Sequence, residues 1–182
     1  MKVLYIERST GEGRNGDWAE GLDLVGVERI VVGTGPGSFA GIRSALAFAQ
    51  GYALGSKCEV LGLPSPCTVA AQVYAGGSGF PLAVVGDARR GKFWIALFDG
   101  LKLVCPVFQV EKDALSLRIP LAAKVATSDE SRIGALLAET FAERYIGGVK
   151  PTDEGLRLFA EANPSILTPE PLPIYLNPAV RD

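Results

Sequence analysis

Histidine is absent from this chain of 182 residues. With it go Ser-His-Asp and Cys-His catalysis, His-held zinc and every imidazole base, so any chemistry must draw on carboxylates, Lys, Ser, Thr, Tyr, Cys or a cofactor. Cysteine is scarce. Cys58, Cys67 and Cys105 are an odd number at wide spacing with no CxxC, which argues against a zinc site or a thioredoxin-like pair. They read as small hydrophobes in a reducing compartment. An excess of one charge is also lacking: 18 Lys and Arg face 20 Asp and Glu, a net of −2. There is thus no basic footprint for nucleic acid, and no direct sequence-specific nucleic-acid binding is expected. No run approaches the ~18 apolar residues of a membrane span, and the apolar start, Val3 to Ile6, is too short for a signal-peptide core. A cytoplasmic chain without a membrane partner is expected.

What is present is an ordinary globular composition, 48% apolar and 21% charged. Val3 to Ile6 reads as a strand, Gly11 to Gly16 as a loop, and Asp17 as the cap of a short helix with Trp18, Leu22 and Val25 on one face. The β-branched run Ile30-Val31-Val32 reads as a buried strand ending in the glycine turn Gly33 to Gly37. A helix follows from about Ser38 to Leu54, stopped by Gly55, and Glu59 to Leu63 returns as a strand, completing a βαβ unit. Pro64 to Tyr74 holds another helix, and Gly76 to Gly79 is a break. Leu82 to Val85 and Lys92 to Phe98 form a hairpin around Asp87 to Gly91, with a third strand over Leu103 to Val110 and one more at Lys124 to Thr127. Helices are expected over Ser131 to Tyr145 and from Thr152 through Ala162. Five prolines in the last 19 residues predict an extended tail. The expected organisation is an N-terminal lobe (1–79), a second lobe (80–163) and a Pro-rich tail (164–182).

Two features invite a functional reading. The turn Gly35-Pro36-Gly37-Ser38 sits between strand and helix, where backbone N–H groups attract anions. It carries no Gly-Lys-Ser/Thr, it lacks the third glycine of GxGxxG, and Pro36 removes a donor. A tight turn that needs glycine is therefore the stronger reading, with Gly35, Gly37, Ser38 and the nearby Glu7 as the phosphate-binding alternative. The second feature is the row Gly41, Ala45, Ala49 and Ala53 at i+4 spacing, beside a second row of Ala47, Gly51 and Gly55. Small residues along such a ridge let another helix approach closely. The partner is either the chain's own core or another protein. The second reading makes Gly41, Ala45, Ala49 and Ala53, with Arg43, a subunit interface, and leaves Leu46, Phe48 and Leu54 for the core. Asp87 lies beside Arg89 and Arg90, where an ion pair or turn cap is the simpler role.

Gly35-Pro36-Gly37-Ser38-Phe39-Ala40-Gly41-Ile42-Arg43 resembles the GPGSFTGxR signature of the bacterial tRNA threonylcarbamoyladenosine biosynthesis protein TsaB (YeaZ) family. Ala49-Gln50-Gly51, Leu63-Pro64-Ser65, Asp87-Ala88-Arg89-Arg90-Gly91 and Pro173-Ile174-Tyr175-Leu176 continue the likeness in order. The resemblance implies an α/β fold of the actin-like, sugar-kinase-like ATPase kind, in two small lobes. It implies a non-catalytic scaffold or activator subunit for the transferase that forms threonylcarbamoyladenosine next to the tRNA anticodon. The partners implied are a catalytic paralogue and a small ATPase, with a homodimer when alone, through the helix that follows the signature. The alternative is an ATP-binding phosphotransferase or hydrolase of the same fold. No cofactor is implied beyond ATP or ADP with magnesium at a subunit interface, no residue is expected to be catalytic, and none to bind metal. Family members open with an LAIDTS-like strand; here Ile6-Glu7-Arg8-Ser9-Thr10 stands there, and only about twenty residues then separate it from the strand at Ile30. A shortened first lobe is expected.

Overall fold

The computed structural model describes residues 1–11, 17–77 and 79–176. In chain order the elements are β1 (Lys2–Ile6), β2 (Val27–Gly33), α1 (Phe39–Gly55), β3 (Glu59–Leu63), α2 (Pro66–Ala75), β4 (Pro81–Arg89), β5 (Lys92–Asp99), β6 (Lys102–Leu103), β7 (Phe108–Glu111), α3 (Leu115–Arg118), β8 (Lys124–Thr127), α4 (Glu130–Phe141), β9 (Tyr145–Gly148), α5 (Asp153–Ala162) and β10 (Thr168–Pro169). They gather into two compact units, the first made of Met1–Thr68 with Pro151–Ile174 and the second of Val69–Lys150 with the described residues from Tyr175 onward. The division falls inside α2, not at the glycines near 76–79, and α5 returns to the first unit instead of closing the second.

In the first unit the sheet order is β1-β2-β3-β10, with β1, β2 and β3 parallel and β10 antiparallel to β3. A parallel strand covered on both faces needs an unbroken apolar run, and Ile30, Val31 and Val32 in β2 are all buried. Ile6, Ile30 and Val32 pack with Ile42, Ala45, Leu46 and Ala49 of α1. Tyr5 lies on the opposite face of β1 from Ile6. Its charged neighbours there include Glu161 and Arg157 of α5, and burial is the main cause of its raised pKa. The short helix expected after Asp17 is one 3-10 turn, Asp17–Ala19, and Val25 is 84% exposed. Gly21 and Gly26, both at positive φ, break the pattern that the apolar spacing suggested. The Pro-rich segment is not simply extended: Pro164–Ile166 makes a 3-10 turn and Thr168–Pro169 joins the sheet edge. Most of the loop expected at Gly11 to Gly16, Ser78 in the expected break, and the tail from Asn177 lie outside the described residues.

In the second unit the order is β6-β5-β4-β8-β9, with β7 also paired to β5. The expected hairpin is β4 and β5, in antiparallel register from Pro81↔Asp99 to Arg89↔Lys92. The single third strand expected from Leu103 to Val110 is instead two short ones, β6 and β7. Val85, Phe93, Ile95, Val125, Ile133 and Leu137 form the core. Helix α4 ends at Phe141, where Ala142 takes φ 48°, and Tyr145 begins β9, a strand that Gly147 and Gly148 disguise in the sequence. Among the described residues no helix is long and apolar enough to cross a membrane.

Candidate functional site

Three glycines of the signature region explain themselves by what passes over them. A Cβ on Gly33 would strike the Glu7 carboxyl at 2.1 Å, one on Gly37 would strike the Ser9 carbonyl oxygen at 2.4 Å, and one on Gly41 the Arg8 carbonyl oxygen at 2.1 Å. The segment leaving β1 therefore lies directly on the end of β2, the turn and the first turn of α1. Glycine at these positions is a bed for Glu7 to Ser9.

Three of the turn's four backbone N–H groups are occupied. Thr34 N–H donates to Leu63 O (2.9 Å), Gly35 N–H to Ser65 Oγ (2.9 Å) and Ser38 N–H to Ser9 O (2.6 Å). Ser38 Oγ accepts from Gly41 N–H (3.3 Å), the side-chain cap of α1. Pro36, after a cis peptide bond, has no N–H to give. From Thr34 to Ser38 no two adjacent residues have N–H groups to spare, so Gly35, Gly37 and Ser38 do not form a cradle that fits a nucleotide phosphate. Glu7 does not fit a magnesium-facing role either. It is 4% exposed, its carboxyl accepts from Ser9 N–H (2.7 Å), and its Oε2 is buried without a hydrogen-bond partner. Burial pushes its pKa above the ordinary value, partly opposed by hydrogen bonds from Ser9 and Ser65. The Cys67 thiol nearby is also pushed up, chiefly by burial and then by Glu7. Among the described residues no group of three metal-capable side chains occurs.

The segment is held from above by the start of α5. Asp153 accepts from Glu7 N–H (2.6 Å) and from both terminal nitrogens of Arg8 (2.7 and 3.2 Å). The Arg8 guanidinium also lies 4.9 Å from the centre of the Trp18 ring. Asp153 was legible only as a helix-start acid; its partnership with Arg8, 145 residues away, has no sequence signal.

Helix α1 turns its two small rows in opposite directions. Gly41, Ala45 and Ala49 are buried, the two alanines completely, against the unit's own sheet, and Ala53 is half-buried. That ridge lets the chain's own strands approach, and a large residue at Ala45 or Ala49 would break the fold before it broke an association. Leu46 is in the core as expected, but Leu54 is 91% exposed. The outward row is Phe39, Arg43, Ala47, Gly51 and Gly55, with Leu54 beside it. Of the expected interface residues only Arg43 is exposed on it, its guanidinium 4.8 Å from the Phe39 ring centre. A Cβ on Gly51 or Gly55 would meet nothing within 4 Å, so nothing in the fold requires these glycines.

In the second unit, the Asp87–Gly91 hairpin tip forms as expected. Asp87 accepts from Arg89 N–H (2.8 Å) and pairs with Arg89 (3.5 Å) and with Arg132 of α4 (3.8 Å).

Comparison with known proteins agrees with this frame. Residues 19–107 match the family described as TsaD, tRNA N6-adenosine threonylcarbamoyltransferase. The chain is 32% identical over 79 residues to the tRNA threonylcarbamoyladenosine biosynthesis protein TsaB of Escherichia coli, covering 43% of this chain and 34% of that one. It is 31% identical over 93 residues to an uncharacterized protein of Mycobacterium tuberculosis, covering 50% of this chain and 42% of the relative. The chain thus matches less than half the length of either relative. YeaZ from Pseudomonas aeruginosa superposes with a TM-score of 0.68 at 21% identity, over 86% of this chain and 77% of that one. A Pseudomonas aeruginosa protein with similarity to peptidase YEAZ gives 0.68 over 90% and 80%. Over part of its length the chain is thus similar to TsaB, and it has the α/β fold of the YeaZ structures.

Proposed function

We propose that the chain is a non-catalytic subunit that supports formation of threonylcarbamoyladenosine next to the tRNA anticodon, by docking a catalytic paralogue on the outward face of α1. The observation that carries this reading is the outward row itself. Gly51 sits in a helix interior where alanine is favoured by about 1 kcal/mol, yet no neighbour within its own unit calls for the missing Cβ. Exposed Phe39 (58%) and Leu54 (91%) flank the row, and Arg43 supplies a charge. A flat strip with apolar ends suits close helix–helix packing. The TsaB relative's printed role and the TsaD family match support the pathway. The lack of any histidine supports an accessory role, since the catalytic relative is expected to hold its metal with histidines. A small ATPase joins the same assembly, which works in the cytoplasm, and without its catalytic partner the chain pairs with a second copy through the same face.

Co-expression with a threonylcarbamoyltransferase, followed by native mass measurement, tests this. A one-to-one complex is expected, and Gly51→Leu or Ala47→Leu should abolish it while circular dichroism is unchanged. A complex that survives both substitutions, or turnover of ATP with magnesium by the isolated chain, would overturn it in favour of another face or of an ATP-using enzyme of the same fold.

A further inference from the structure

The tip of the β4–β5 hairpin carries arginines where turn chemistry favours other residues. Arg89 pairs with Lys92, so the loop is the two residues Arg90 and Gly91. Arg89, Arg90 and Gly91 take φ of 68°, 54° and 77°. A two-residue hairpin with positive φ at both loop positions is usually Asn-Gly or Gly-Gly, because a Cβ crowds the backbone there. A register shift between Asp87 and Arg89 twists the strand just before the tip. Two consecutive arginines are therefore kept in a conformation that disfavours them. Such outliers accumulate where a side chain is needed for contact.

The charges around the tip are unequally placed. Asp87 is only 19% exposed and lies between Arg89, 62% exposed, and Arg132 of α4, 45% exposed. The Asp129 carboxylate is occupied by the Asp87 N–H (2.9 Å), and Glu130 accepts from the Tyr145 hydroxyl. Lys92 is paired with Glu111 (2.8 Å). Arg90 is exposed and has no partner among the described residues. The acids thus brace the turn from beneath, while guanidinium groups of Arg89, Arg90 and Arg132 form its outer surface. Guanidinium groups match phosphate oxygens in paired, parallel hydrogen bonds.

Resting on the reading that the chain serves a tRNA-modifying assembly, we propose that this hairpin tip contacts the phosphodiester backbone of the RNA. Arg90 makes the direct contact, Arg89 and Arg132 add to the positive rim, and Asp87 holds the turn. Contacts of this kind position a nucleic acid without reading its sequence. They accord with a chain of net charge −2, whose basic groups act locally and not as a broad patch.

The test is fluorescence anisotropy of the full chain with a labelled, unmodified tRNA transcript, measured across a series of salt concentrations. Arg90→Asn and the double variant Arg89→Asn/Arg90→Asn place the preferred residue in the turn, so both should fold at least as well as the parent. The expected result is binding weakened about five-fold or more, with a salt-dependence slope smaller by about one for each arginine removed. Equal binding by parent and variants, or no binding by the parent at salt as low as about 50 mM, overturns the proposal. Displacement of the tRNA by ATP, with ATP binding lost in the same variants, reassigns the tip to a nucleotide and overturns it too. Capture of the catalytic partner by these variants is measured in parallel. Capture retained while RNA binding fails to depend on the arginines sinks this inference alone, and capture absent from the parent sinks the docking reading.

Discussion

Asp153 ties the C-terminal helix of the first unit to the segment leaving its first strand, and its removal should be felt throughout that unit. The carboxylate accepts one backbone N–H, from Glu7, and two guanidinium N–H groups, from Arg8. Asp153→Ala leaves Glu7 N–H without its acceptor and removes the charge partner of a guanidinium whose side chain is only 17% exposed, leaving it the Glu7 carbonyl oxygen at 2.5 Å. A hydrogen bond to a charged group contributes about 1.5–3 kcal/mol, and an orphaned buried donor costs about 1–3 kcal/mol. Asp153 itself is 45% exposed, so water restores part of what is lost. The penalty of about 3–5 kcal/mol for breaking a fully buried pair is then a ceiling. About 2–3 kcal/mol is expected, which for a chain of this size lowers the thermal midpoint by about 5–10 °C. Asp153→Asn keeps an acceptor for Glu7 N–H and should lose about half as much. A double-mutant cycle with Arg8→Met, which retains an apolar stem over Trp18, should give a coupling of about 1–2 kcal/mol. The assay is urea unfolding followed by tryptophan fluorescence and circular dichroism. A loss below about 0.5 kcal/mol for Asp153→Ala, or strictly additive singles, would refute the clasp.

Glu7 has a pH signature opposite to that of a salt-bridged acid. Its carboxyl titrates near 4.5 when exposed and at higher pH when folded, because burial disfavours the charge. Between those two values the folded state holds more protons than the unfolded one, so stability falls as pH rises above 4.5. Glu7→Gln cannot ionise; its stability relative to the parent should therefore increase as pH rises above 4.5, and a difference that stays constant with rising pH would contradict the burial argument. The glycines divide into two classes. Gly37→Ala and Gly41→Ala drive a methyl to 2.4 and 2.1 Å from backbone oxygens of Ser9 and Arg8, and should destabilise by about 3 kcal/mol or more. Gly51→Ala meets open space and should stabilise the isolated chain by about 1 kcal/mol; calorimetric midpoints of the three variants decide whether the classes are real.

The regular elements were legible where one physical signal dominated. The run Ile30-Val31-Val32, the capped helix after Ser38, the Lys124–Thr127 strand and the Thr152-capped helix appear within a few residues of where the sequence places them. Strand β9 was not legible, because Gly147 and Gly148 carry no strand propensity; the close approach of Gly148 to Glu130 accounts for one of them. The return of α5 to the first unit was hidden too, since nothing local in Asp153 or Leu156 says which sheet they will meet. In α1 the spacing showed two small-residue rows correctly but could not assign them. Which row faces inward depends on where Ile6, Ile30 and Val32 come to lie, and that is a tertiary fact.

The two rows of α1 therefore have separate causes, although they interleave on one helix. Gly41, Ala45 and Ala49 are small because β1 and β2 and the Glu7–Ser9 segment press on them, and the fold alone accounts for each. Ala47, Gly51 and Gly55 face outward, and the packing of the fold calls for neither glycine. A helix selected only for stability would carry alanine or another better helix former at Gly51. On the proposed docking reading, the separation makes structure and association independently adjustable in a single element. Changes on the inner row act on unfolding whether or not a partner is present. If the outer row is the proposed docking face, changes on it act on complex formation, and at Gly51 the same substitution to alanine should raise the stability of the free chain while it weakens the closest helix–helix approach. Opposite signs from one methyl group are hard to obtain from any role confined to the monomer, and measuring both on Gly51→Ala is the sharpest comparison the helix offers.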